Sequence, residues 1–159
     1  MHIDLKLNPS WIRWTWPFAL LFFYIWTMPE NYSQAEDAYD FAFRVEQGSL
    51  IEQLGVNRLL ALPVFSIIYK FISGLGLDVR AFTYMVYLNQ ILAVGSLILF
   101  RRILFDQWVL QHKFSVAKKG SYLGVGLLGL SYGFWRYASV PETYMLAIFF
   151  LLLAWFFVL

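Results

Sequence analysis

The chain has no cysteine, only two histidines and few charges. Without thiols there are no disulfides, no thiol catalysis and no Cys-ligated metal. His2 and His112 are far apart in sequence, which gives no support to a His-based zinc site or a Ser-His triad. Both read as solvated or interfacial histidines. Charged residues make up 14% of 159 residues, whereas a soluble domain carries about 25%. A chain this short has too much surface to cover with so few charges. Hydrocarbon as solvent removes the conflict. In its favour, 60% of the residues are apolar, and 7 Trp and 10 Tyr suit a membrane–water boundary where a ring is half wet.

The composition and the apolar runs predict an all-α protein, a multi-pass transmembrane helical bundle. Spans are expected at about residues 11–28, 81–100, 121–137 and 143–159. The first run ends in Trp26-Thr27-Met28-Pro29-Glu30, which lacks the small residues of a signal-peptidase site, so it reads as a retained helix. Between it and the second span lies a mixed stretch, residues 29–80. Within it, Phe41, Val45, Leu50, Ile51 and Leu54 recur at roughly helical spacing and predict an amphipathic surface helix. Residues 59–72 are apolar but short, carry Pro63 and Lys70, and end at Ser73-Gly74-Leu75-Gly76. They read as a second surface helix. Asn89 and Gln90, near the middle of the second span, are expected to face another helix. Arg101-Arg102 are expected to end that span, with residues 101–120 forming a loop or surface helix. The last run is still apolar at Leu159, so the chain reads as the N-terminal part of a larger protein.

Charge sets the expected orientation. Arg101, Arg102, Lys113, Lys118 and Lys119 face a single acid, Asp106, in their loop. The stretch 29–80 carries seven acids and four bases. The basic loop is therefore expected in the cytoplasm and the acidic stretch outside, with the N-terminus cytoplasmic in a plasma (inner) membrane. One span between the two satisfies this. A span at 59–72 would not.

Three patterns bear on chemistry. Asp37 and Asp40 are three apart, on one face if the segment is helical. A carboxylate there can deprotonate a hydroxyl or hold a divalent cation; on spacing alone a solvated acidic loop is the leading alternative. Gly124-x-Gly126-x-x-Gly129 matches a dinucleotide fingerprint in letters only. It lies inside an apolar helix with no preceding strand, so no nucleotide cofactor is expected. Gly129 and Gly133 instead fit close helix packing. Arg136 and Glu142 flank the turn between the last two runs. There they can meet a lipid phosphate or a sugar, or merely mark helix ends, with Trp135 in the aromatic belt. Asn31-Tyr32-Ser33 is a glycosylation sequon of little weight so close to the membrane.

The order of these features resembles a known family. A first span is followed by Asp37, Tyr39 and Gly48 in DAYDFAFRVEQG, then by a Pro-containing apolar helix, LLALPVF. SGLGLDVR, a span and FRRIL follow, then Phe134-Trp135 and Pro141-Glu142-Thr143-Tyr144. This is similar to the N-terminal part of the GT-C membrane glycosyltransferases, including protein O-mannosyltransferase-like and aminoarabinose transferase-like branches. Where that family has Pro-Pro before the surface helix, this chain has Gly55-Val56-Asn57-Arg58. The resemblance implies a polyprenyl-phosphate-linked sugar donor at the outer face and a hydroxyl acceptor. It implies Asp37 as the activating acid, Asp40 as helper or metal ligand, and Tyr39, Arg136 and Glu142 on the substrate side. Membrane lipid is then a partner and nucleic acid is not. The competing reading is a non-catalytic membrane protein that binds a lipid or a membrane partner.

Overall fold

The structure is a computed structural model that describes residues 9–29, 36–48, 61–77 and 79–158. All regular structure among them is helical. The seven helices are α1 (Pro9–Trp26), α2 (Glu36–Gln47), α3 (Ala61–Gly74), α4 (Ala81–Val109), α5 (Phe114–Gly129), α6 (Tyr132–Ser139) and α7 (Tyr144–Val158). Glu30, the sequon at 31–33, residues Leu50, Ile51 and Leu54, the segment 55–58 and Asp78 lie outside the described residues.

α4 is the axis, and every other helix packs on it. Its N-terminal half meets α2 and α3 in one core, where Phe41, Val45, Leu62, Phe65, Tyr84 and Met85 are buried together. Farther along, Ala93, Val94 and Leu97 meet α1, α5, α6 and α7 in a second core around Tyr24, Val125, Phe134 and Met145. α2 buries Ala38, Phe41, Ala42 and Val45, the i, i+3, i+4, i+7 stripe of an amphipathic helix. The Ser66 hydroxyl of α3 donates to the Val45 carbonyl at 3.3 Å and ties the two short helices together. α3 stops where expected: Gly76 has φ of +81°, a left-handed turn that glycine takes without steric cost.

Three expectations need correction. Arg101-Arg102 do not end a helix; α4 runs on to Val109. Twenty residues from Ala81 already measure about 30 Å, the thickness of a bilayer's hydrocarbon core. The apolar run ends at the two arginines, and helix formation does not stop with it. Arg102 pairs with Asp106 one turn on, at 2.8 Å. The expected helix over 121–137 is two helices. α5 starts early, at Phe114, and ends at Gly129; Ser131 then caps α6 by accepting from the Phe134 N–H at 3.4 Å. Gly133 therefore lies on a different helix from Gly129 and packs against nothing, since a methyl there would meet open space.

The glycine packing itself is real at other positions. A methyl at Gly129 would press on the Leu97 side chain at 2.9 Å. At Gly124 it would meet Leu104 at 2.7 Å, and at Gly120 it would overlap the Trp108 ring. α5 lies close along α4 because these positions carry no side chain.

Candidate functional site

The stripe that α2 buries decides what it leaves outside. With Ala38, Phe41, Ala42 and Val45 inward, Asp37, Tyr39, Asp40 and Arg44 are on the exposed side. Asp37, Asp40 and Arg44 follow one another at i, i+3 and i+7, so the expected shared face is present. The Asp40 carboxylate accepts a 2.8 Å ion pair from Arg44, both side chains about half exposed. The Tyr39 ring stacks on Phe82 in the first turn of α4, with centroids 4.9 Å apart.

Phe82 also carries the second half of the site. It packs against the buried pair Ala38 and Val140, so the start of α2 abuts the turn between α6 and α7. That turn is held from below. The Asn89 side-chain amide on α4 donates to the carbonyls of both Val140 and Glu142, each at 2.7 Å. The Glu142 N–H returns to the Val140 carbonyl at 2.8 Å. Pro141, which lacks an N–H and cannot extend α6 in register, is buried at the bend, and α6 and α7 meet at 113°. The residues expected to act together, Asp37, Tyr39 and Glu142, therefore come from segments in contact: Asp37 and Tyr39 flank Ala38, and Glu142 is two residues past Val140.

Arg136 is not part of this convergence. Phe134 and Ala138 bury one face of α6, and Arg136, two residues from each, lies on the opposite, half-buried side of the helix, with no bond to Asp37, Tyr39 or Glu142 seen among the described residues. Nor does the site supply a metal-ligand set. Among the described residues no three Asp, Glu or His side chains converge, and Asp40 carries Arg44.

Further support lies one helical layer down. Gln90 donates to the Tyr24 carbonyl at 3.2 Å, and the Tyr24 hydroxyl donates to the Gly129 carbonyl at 2.8 Å, where the end of α5 leaves an acceptor open. The Trp135 indole N–H donates to the Thr27 hydroxyl at 2.8 Å, and that hydroxyl donates to the Phe23 carbonyl at 2.7 Å. Trp135 thus locks α6 to the end of α1, a role that the aromatic-belt expectation does not include. The amides' need for partners is visible in the sequence. Their partners are not, because they are backbone carbonyls 51 to 66 residues away.

Compared with family models, with curated proteins and with solved structures, the chain matches none.

Proposed function

We propose that these helices form the N-terminal membrane unit of a GT-C-type glycosyltransferase. It would move a sugar from a polyprenyl-phosphate donor to a hydroxyl acceptor at the outer face of the membrane. One observation carries the reading: α2, with Asp37 and Asp40 outward, abuts the α6–α7 turn that bears Glu142, through Ala38, Val140 and Phe82. In the chemistry proposed, the acceptor oxygen attacks the anomeric carbon and its proton passes to the Asp37 carboxylate. The bond from that carbon to the phosphate oxygen breaks, and polyprenyl phosphate leaves with the bonding pair. Asp40 and Arg44, paired on the same face, keep the acceptor side polar. Tyr39, stacked on Phe82, offers a ring against which a sugar can lie. Glu142 orients the acceptor.

The multi-pass membrane setting belongs to the same proposal. α4 is long and apolar enough to cross, and α6 with α7 qualify together as a broken span. Broken helices are tolerated at membrane depth when the freed backbone is buried and bonded, and Asn89 does this at Val140 and Glu142. Large side chains face outward on α1 (Phe18, Phe22, Trp26) and α7 (Leu151, Trp155, Phe157). Exposed apolar surface of that extent suits lipid better than water.

The test is transfer by the native full-length protein in membranes, supplied with a polyprenyl-phosphate sugar and a hydroxyl acceptor. The expected result is product that depends on both substrates. No turnover of any such donor, from protein that is correctly inserted, favours the non-catalytic reading.

A further inference from the structure

We propose that α5 and the adjoining part of α4 form a binding site for one anionic phospholipid, at the end of the bundle opposite the acidic helix α2. It rests on the membrane setting just described but not on the transferase chemistry.

The site is a stripe along one side of α5. Residues four apart share a helix face, so Lys118 leads to Tyr122 and Gly126, and Lys119 leads to Leu123 and Leu127. Tyr122, Leu123, Gly126, Leu127, Leu130 and Ser131 line an open groove of about 440 Å³. Leu123, Leu127 and Leu130 are each at least 60% exposed, so no part of the described chain covers them. Gly126 makes the groove's floor. A methyl there would meet nothing within 4 Å, in contrast to Gly120, Gly124 and Gly129, which are filled by neighbouring side chains. From Tyr122 to Leu130 the groove runs about 12 Å along the helix, room for a stretch of acyl chain.

Its basic end carries a set of cations. The Arg101 guanidinium lies 4.7 Å over the Tyr122 ring, which is braced at its edge by Trp16. Lys118 and Lys119 are one turn before Tyr122 and Leu123. Among the described residues neither lysine is in an ion pair, and the one acid nearby, Asp106, is taken by Arg102. Three cations at the mouth of an apolar groove match a phosphate headgroup joined to a hydrocarbon chain. A neutral lipid would use the groove alone and an inorganic anion the cations alone. The charge rule puts this end in the cytoplasmic leaflet, where anionic lipids carry the negative surface potential.

The experiment is lipid retention by the full chain purified in mild detergent, read by native mass spectrometry after adding phosphatidylglycerol or phosphatidylcholine. Phosphatidylglycerol should be retained about thirty-fold over phosphatidylcholine. Lys118→Gln with Lys119→Gln should erase that preference, a loss of about thirty-fold for two lysines near a charged headgroup. Gly126→Leu fits the fold but fills the groove, and should lower retention of phosphatidylglycerol about ten-fold with all three cations in place. Millimolar inorganic phosphate should not displace the lipid. Equal retention of the two lipids, a preference indifferent to the double lysine variant, or displacement by phosphate alone each overturns the site. Release of the chain from membranes by alkaline carbonate overturns the membrane setting as well. Firm membrane retention with no headgroup preference overturns only this inference.

Discussion

Asn89 concentrates the consequences of the fold in one side chain. Its two donated bonds hold the carbonyls of Val140 and Glu142 and so tie that turn to α4. Asn89→Ala should lower stability in detergent by about 1–3 kcal/mol, the cost of leaving a buried carbonyl unbonded. Thermal unfolding checks this, and a change under about 0.5 kcal/mol would mean that Pro141 alone sets the bend. Glycines make the contrast sharper. Gly133→Ala, on an exposed position of α6, should be neutral or stabilising by about 0.5–1 kcal/mol through helix propensity. Gly129→Leu should be strongly destabilising, because Leu97, Leu20 and the Tyr24 hydroxyl already fill that space. Equal tolerance at both positions would contradict the helix break at Leu130–Ser131. The sequence made Gly129 and Gly133 look alike, since both sit in one apolar run at a spacing of four. Ser131, three residues before Phe134, was the available sign that a new helix starts between them.

The elements differ in how far their own composition fixed them. The first half of the expected surface helix was legible, because Phe41, Val45 and the acids recur at helical spacing; α2 ends at Gln47, and Leu50, Ile51 and Leu54 lie outside the described residues. The extent of α4 was not, because two adjacent arginines end an apolar run without ending a helix. Straight-chain Arg is a good helix former, and Asp106 sits where Arg102 can reach it. The seam between α4 and α5 was only partly legible. Glycines in an apolar helix announce a close neighbour, but not that the neighbour is Trp108. Gly120→Leu should prevent stable folding, and Trp108→Ala should restore much of the loss. A double variant no better than Gly120→Leu alone would mean that α5 does not lie against the end of α4.

For the whole molecule, charge and architecture point the same way. α2, which carries Asp37, Asp40 and Glu46, packs on the first turns of α4, and Lys118 and Lys119 lie beside its far half. If α4 crosses the bilayer, the two groups must be on opposite sides. With no native cysteine, single substitutions report this directly. Gln47→Cys should react with an impermeant thiol reagent on intact cells, and Ser115→Cys only after permeabilisation. Reaction of both on intact cells would contradict the crossing. The placement of the candidate residues was only partly legible. Asp37, Tyr39 and Glu142 were readable as candidates and do come from adjoining segments. Arg136 was readable too, but its place on the helix opposite Phe134 and Ala138 depends on where α6 begins, just after Ser131. The measurement that bears most directly on the central claim is sugar transfer by the native full-length protein with Asp37→Asn beside Asp40→Asn, membrane insertion being checked in each. The account predicts loss of transfer by about 10²-fold or more for Asp37→Asn, which keeps shape and removes the base, and a smaller loss for Asp40→Asn. Near-normal transfer by Asp37→Asn would contradict it.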